Sequence, residues 1–537
     1  MSAAKFSLEE RVSYVSSTGR KTKDEYVEAA TPDTLEDGAL RQGGAPHLLS
    51  KESFGLLAQY AAVGLVYGTL PNLVYPFLTV YLFLEGSVTT SATALLAIPW
   101  SLKVFIGMVS DNFPIFGYRR RPYMMIGWTV CSICLFTMAF MKLPDAFWDK
   151  PEYRDAADGL EESDWAAQGL TWNQRARDAD GKYVVLMMLA SLGYVVSDVA
   201  ADAVVVEYAQ REPEAIRGRT QTAIYTVRTL FGILAQAILA FLLNGPEYGG
   251  DFDFSLSIKT IFLILAIFCV PVIFLTWFFV KEEKFARPNF GTYIHKLWEA
   301  IQTRAFYQVI GYCFISGVFA GIGYIASNPI TNIWIKASSL TYNLSGILGN
   351  LVMTLTLIAT GKYGLHWNWR WVIAITMFGV VGIDCIVSML AVWDKVRSPW
   401  FWLGVPIVEN VPSGISFIVS TFVVVELAGE GNEGACYGLL TTVMNLGSPF
   451  ALSITTNIDA SFDTYNADLV TDTDHVRTDV TYTIVISYAC KLFSLVFLFL
   501  LPRQKTETQE LKRNGGSSKK MAHSRFSIAC SRLSGRS

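Results

Sequence analysis

Histidine is scarce in this chain. There are five in 537 residues, His47, His295, His366, His475 and His523, and none falls well inside a hydrophobic run. That excludes a histidine metal centre or a histidine proton relay inside any apolar segment. Charge is scarce as well, at 17% of residues against 52% hydrophobic and 13% aromatic, with a mean hydropathy of +0.35. Soluble domains carry about 25% charged residues, so this composition is too apolar for a soluble protein of the same size. The cysteines build no disulfide framework. Cys131, Cys134, Cys269, Cys313, Cys385, Cys436 and Cys490 fall in apolar runs, and Cys530 lies in the C-terminal tail. The Cys131-x-x-Cys134 pair has no histidine near it, which argues against a metal or redox site. The first 50 residues lack an apolar core, so no cleavable signal peptide is expected and the first apolar run serves as the insertion signal. No cofactor, metal, catalytic set or nucleic-acid partner is expected.

What the chain has is long apolar runs. A helix needs about 20 apolar residues to cross a bilayer. Twelve candidate runs lie near 54–84, 88–110, 122–142, 183–207, 219–243, 258–280, 306–334, 343–363, 370–393, 400–426, 434–456 and 482–502. Pro71, Pro76 and Pro329 are expected to break the first and seventh. The net charge of −3 carries no message, because the signs are segregated along the chain. Lys and Arg crowd the N-terminal tail, the 281–305 loop and the tail from Arg503 to Arg536, whereas loops 143–182 and 457–481 are acidic. The positive-inside rule then places both ends in the cytoplasm and requires an even number of spans. The Asn343-Leu344-Ser345 sequon falls in an outside loop. The expected organisation is a basic tail 1–53, a six-helix bundle 54–280, a cytoplasmic linker 281–305, a second bundle 306–502 and a basic tail 503–537. This is an all-α, multi-pass membrane protein with lipid neighbours. The long basic tails point to the plasma membrane.

The stretch Pro99 to Tyr123 is the most informative. An apolar segment carrying Lys103 runs into Gly107-x-x-Ser110-Asp111, then a short loop, then Gly117-x-Arg119-Arg120-Arg121. A carboxylate closing one span and arginines opening the next mark a cytoplasmic hairpin, in which Asp111 can pair with an arginine or meet a helix N-terminus. Gly107, Asp111, Gly117, Arg119, Arg120 and Arg121 are therefore the candidate cytoplasmic gate.

The chain also repeats. Val204-Val205-Val206-Glu207 ends the fourth run as Val423-Val424-Val425-Glu426 ends the tenth, and Gly218-(x)7-Thr226-Val227 opens the fifth as Gly434-(x)7-Thr442-Val443 opens the eleventh. Two six-helix units joined by a basic loop are the plan in which substrate binds between the halves at mid-membrane. Aligning the repeats sets Asp198 against Phe417, Asp202 against Thr421 and Arg228 against Met444. The intramembrane charges thus survive in one half only. Such charges are costly in a bilayer and are usually functional. At about 1.5 Å of rise per residue, Lys103, Asp198 and Arg228 lie roughly 12–15 Å from the cytoplasmic ends of their helices. Asp198 and Asp202 share a helix face. Two readings follow: a closed ion-pair network that stabilises the N-terminal half, or cations that attract an anionic substrate beside a carboxylate that takes up and releases a proton. In the second half, Asp384, Glu409 and Asn410, with Tyr324 and Asn445, are candidate cavity residues. Tyr60, Tyr67, Tyr75, Trp100 and Tyr225 are further aromatic candidates for holding a flat ring.

Gly107-x-x-x-Asp111 followed by Gly117-x-Arg119-Arg120 resembles the loop signature of major facilitator transporters. The full Pro99–Tyr123 stretch is similar to the signature of the folate–biopterin transporter family. So are Ser197-Asp198-x-x-x-Asp202-Ala203-x-Val205-Val206-Glu207, Gln221-x-x-x-Tyr225-x-x-Arg228-x-x-x-Gly232, and Glu433-Gly434-x-x-Tyr437-Gly438-Leu439-Leu440 with Asn445-Leu446-Gly447. The resemblance implies the two-bundle major facilitator fold and import of folate, biopterin or a related pteridine, driven by protons. It also implies substrate and proton handling by Lys103, Asp198, Asp202 and Arg228. Two alternatives stay open: the same machine carrying another metabolite such as S-adenosylmethionine, and a non-transporting membrane sensor or scaffold. The loop after Glu426 departs from the family pattern in lacking a Cys-Pro pair.

Overall fold

The computed structural model describes residues 38–514, apart from 49, 85, 158–161, 251, 338 and 430. Of the two basic tails only 38–53 and 503–514 are therefore seen, and Cys530 lies outside the described residues. No β-strand occurs among the described residues. That suits lipid, where a spanning segment must satisfy its own backbone hydrogen bonds.

The first six spans are α1 (Lys51–Val74), α2 (Gly86–Ser101, then Lys103–Asn112), α3 (Arg121–Phe140), α4 (Asp180–Gln210), α5 (Arg219–Leu242) and α6 (Ile258–Phe279). A linker helix, Phe290–Ile301, leads to α7 (Arg304–Gly321), α8 (Ser339–Tyr363), α9 (Trp369–Val392), α10 (Pro399–Leu427), α11 (Glu433–Asp459) and α12 (Asp474–Ser494). A tail helix, Lys505–Asn514, follows. Among the described residues, ten helices are long and apolar enough to cross a membrane, and the more polar α7 and α11 complete the set of twelve. Large apolar side chains such as Phe274, Phe278, Phe378 and Ile386 stand exposed on the outside, as a lipid-facing surface requires.

Local chemistry sets the ends. The Ser50 side chain caps α1 by accepting from the Ser53 N–H at 3.2 Å. Glu282 accepts from the N–H groups of Arg119, Arg120 and Arg121 at 2.5–3.0 Å, a carboxylate on the N-terminus of α3. The proline breaks differ from expectation. Pro71 lies inside α1 without ending it, and at Pro76 the backbone widens into a π-helical turn over Tyr75–Tyr81. The seventh run breaks ahead of Pro329, where 322–326 separates α7 from Ser327–Trp334. An unexpected break falls at Leu102, three residues after Pro99, so α2 restarts at Lys103.

The halves meet most closely where α2 crosses α11. A Cβ added to Gly107 would lie 2.4 Å from the Gly434 carbonyl oxygen, and one on Gly438 would lie 2.7 Å from that of Lys103. Only hydrogen fits there, and the backbone contact brings Lys103 against Tyr437 and Asp111 against Glu433.

Candidate functional site

Lys103 is 3% exposed, yet its ammonium is fully engaged. Nζ donates to Asp198 Oδ2 at 2.6 Å and to Asp202 Oδ2 at 3.0 Å, and lies 4.6 Å from the centre of the Trp100 ring. The Tyr60 hydroxyl donates to Asp202 Oδ1 at 2.6 Å, Tyr225 does so at 3.4 Å, and the Tyr225 hydroxyl hydrogen-bonds that of Tyr437 across the half interface. Two buried carboxylates around one ammonium leave the cluster with a surplus negative charge.

Above it lies a cavity of about 560 Å³ between the halves, lined on one side by Tyr67, Trp100, Lys103 and Arg228 and on the other by Phe417, Tyr437, Met444 and Asn445. Asp198 and Asp202 are not among the lining residues; they sit behind Lys103. Arg228 makes no ion pair among the described residues, and its guanidinium lies 5.2 Å from the Tyr67 ring centre and 5.4 Å from that of Trp100. The sequence-selected charges thus divide into a floor, where one ammonium serves two carboxylates, and a cation on the wall with no ion pair among the described residues.

The end of the molecule that carries both tails is sealed by charge. Asp111 Oδ1 is 2.6 Å from Arg120 Nη2, while Oδ2 accepts from the Ala435 N–H and the Tyr293 hydroxyl of the linker helix, each at 2.9 Å. Arg120, fully buried, also reaches Glu433 at 3.3 Å and Glu207 at 3.6 Å. Arg119 contacts the same two glutamates at 3.5 and 3.7 Å and lies 4.0 Å from the centre of the Phe285 ring. Arg41 from the N-terminal tail pairs with both. Beside this group Arg217 binds Glu426 at 2.7 Å. Gly117 takes a left-handed φ of +85° in the hairpin turn. Arg121 stands apart, its guanidinium 4.7 Å from the Trp277 ring centre.

Residues 182–452, just over half of the chain, match the Major Facilitator Superfamily family model. The chain belongs to the major facilitator superfamily. Residues 64–147 match the BT1 family model, in agreement with the resemblance read from the Pro99–Tyr123 stretch. A folate-biopterin transporter of Synechocystis is 24% identical over 483 residues, covering 87% of this chain and 86% of that one. Folate transporter 1 of Plasmodium falciparum is 22% identical, covering 75% and 70%. Among solved structures, a proton:xylose symporter superposes with a TM-score of 0.55 at 12% identity, covering 86% of this chain and 98% of that one. A bacterial homologue of the iron transporter ferroportin, in an outward-facing state, gives 0.54 at 14%, covering 84% and 99%. These likenesses carry the fold, and with the family they make the chain a multi-pass membrane transporter rather than an enzyme.

In this major facilitator protein the second-half candidates scatter. Asn445 lines the main cavity. Glu409 faces a second cavity, of about 410 Å³, and pairs with Lys491 at 3.1 Å. Asn410 faces a third, of about 450 Å³, which Arg228 also lines. Asp384 is buried in α9, accepting from the Ser388 hydroxyl at 2.8 Å, and neither it nor Tyr324 lines the main cavity. Sequence reasoning gave no role to Arg41, Glu433 or Lys491. Lys491 is a lone lysine in an apolar run, the signal that singled out Lys103. Arg41 carries no signal beyond its place in a basic tail.

Proposed function

We propose that this transporter moves folate, biopterin or a related pteridine by alternating access, coupled to protons. The observation that carries the reading is Arg228: a guanidinium with no ion pair among the described residues, beside the rings of Tyr67 and Trp100, in a cavity between the halves. A flat heterocycle stacks on such rings, and a carboxylate or enolate oxygen pairs with the guanidinium. A cationic substrate such as S-adenosylmethionine would meet Arg228 first, which favours the pteridine reading over that alternative. The names of the Synechocystis and Plasmodium relatives support the same substrate class.

Proton coupling is assigned to the cluster at the floor. Asp198, Asp202 and Lys103 hold one charge too many, and one proton cancels it. Lys103 is then held less tightly and is free to meet an anionic substrate above it. The tail-bearing face is taken as cytoplasmic, from its Lys and Arg excess, and the membrane as the plasma membrane. With that face sealed by Asp111, Arg120 and Glu433, the cavity serves the outside; breaking those pairs turns it inward.

The test is uptake of labelled folate and biopterin into proteoliposomes holding the full chain, with and without an inward proton gradient. Uptake that rises with the gradient is expected. Uptake of S-adenosylmethionine with neither pterin transported would replace the reading.

A further inference from the structure

Phe417 is the one side chain that lines all three of the cavities described above. Its ring meets that of Tyr225 edge-on at 4.7 Å, and in the repeat alignment it holds the place that Asp198 holds in the first half. Where the first half puts a buried carboxylate, the second puts an aromatic partition.

Behind that partition the chemistry changes. The 410 Å³ crevice lies within the second half, among α7, α9, α10 and α12, and shares Phe417, Ser420 and Met444 with the main cavity. It is faced by the hydroxyl residues Ser316, Ser413, Ser416 and Ser494 and by the Glu409–Lys491 pair. Lys491 and Glu409 keep 19% and 35% of their side-chain surface open, unlike Lys103 with 3%. An ion pair that only locks two helices has no need of a cavity wall or of five serines around it, Ser420 included. A partly open ammonium in a crevice lined by hydroxyls is a place for a carboxylate.

We infer that this crevice is a second subsite, which takes the carboxylate-bearing tail of an extended substrate whose flat head lies against Trp100, Tyr67 and Arg228. The tail passes Phe417 and exchanges for Glu409 as the partner of Lys491, while the serines replace the water that the tail gives up. The inference rests on the pteridine reading and adds to it a rule: the crevice separates tailed from tailless pterins, and the main cavity does not.

Lys491→Gln leaves Glu409 unpaired, so the double variant Glu409→Gln/Lys491→Gln, which leaves no lone charge, is measured beside it. In proteoliposomes, KM for folate is expected to rise at least about tenfold in both variants, while KM for tailless biopterin changes by less than about twofold. Lys491→Arg is expected to keep most of the folate affinity. Phe417→Ala, which removes the partition, should alter folate uptake more than biopterin uptake. Equal changes for the two compounds in the double variant, with the wild type carrying both, overturn the subsite and leave the pteridine reading intact. A wild-type protein that carries neither compound overturns both.

Discussion

The two halves of this transporter are alike at the tail-bearing face and unlike at mid-depth. At the face, Glu207 and Glu426 end equivalent helices, and both are ion-paired. The residues at the approach to the next helices, Arg217 two positions before α5 and Glu433 at the start of α11, are also equivalent by the repeat. Arg217 meets Glu426 directly, opposite charge to opposite charge. Glu433 meets Glu207 as like to like, and three arginines, Arg41, Arg119 and Arg120, bridge the pair. One reversal of sign in the repeat explains why the arginine cluster of the α2–α3 loop and a tail residue converge on a single spot. At mid-depth there is no such correspondence: Asp198, Asp202 and Arg228 stand where the second half has Phe417, Thr421 and Met444. Both halves complete the fold, so the fold does not require those charges. The repeat builds the seal; departure from the repeat builds the cavity.

Making the mid-depth layer of the first half resemble the second is the strongest way to attack this comparison. Lys103→Met leaves two buried carboxylates facing each other, and breaking a buried pair in this way costs about 3–5 kcal/mol. Uptake is expected to vanish and detergent-solubilised protein to melt well below wild type. Arg228→Met installs the residue the second half already uses. With no ion pair to break among the described residues, its stability should stay within about 1 kcal/mol of wild type, while uptake falls at least about tenfold because the cation on the wall is gone. If Arg228→Met transports normally, the asymmetry at mid-depth has no bearing on transport.

The sealed face is probed by Glu433→Gln, which removes the charge the three arginines share. Cys436, one turn further along α11, is 1% exposed and serves as the reporter. A shift of about 1.4 kcal/mol in the closed–open equilibrium gives about a tenfold faster alkylation of Cys436 by a membrane-impermeant maleimide, read by mass spectrometry of that residue. No change in rate would mean that backbone contact at Gly107 and Gly434 seals the face without the charges.

Much of this was legible in the sequence. Length and hydropathy gave twelve spans, and the Val-Val-Val-Glu repeat gave the two halves. Lys103, Asp198 and Asp202 announced themselves as charges in apolar runs, and the structure joins them within 3.0 Å. What failed to read through were contacts between residues far apart in the chain. Arg41 and Glu433 are separated by 392 positions and look like ordinary loop charges until the α2–α11 crossing brings them together. The turn at Leu102 was hidden because a proline disturbs the turn before it, whereas this one falls after Pro99, where the Leu102 N–H bonds the Pro99 carbonyl at 3.1 Å in a tighter three-residue turn. The scatter of Asp384, Tyr324 and Glu409 was hidden because hydropathy locates a residue along a helix but not around it.

The smallest expected effect concerns a segment that touches both halves, the tail helix. Lys505 Nζ donates to the carbonyl of Arg217 at 2.6 Å and to that of Glu214 at 3.3 Å, in the first half. Gln509 and Lys512 bond the Glu426 carbonyl at 3.0 and 3.1 Å, in the second. Burial pushes Lys505 down to about 8, with Arg217 adding to the fall and Glu426, Glu212 and Glu214 opposing it. A lysine whose docked value is depressed binds its proton more weakly docked than free, so docking is penalised below about pH 8. The penalty is relieved as pH rises from there toward the ordinary lysine value of 10.5. Hydrogen exchange over 505–514 should therefore slow between pH 8 and 10, after correction for the intrinsic rate. Lys505→Met should shrink that pH dependence to the part carried by Lys512, whose value burial also lowers, and leave the helix docked at both ends of the range. A wild-type helix whose corrected exchange is flat across this window would mean that the carbonyl contacts hold Lys505 in its charged form, and that the tail helix ties the halves together with no titrating step.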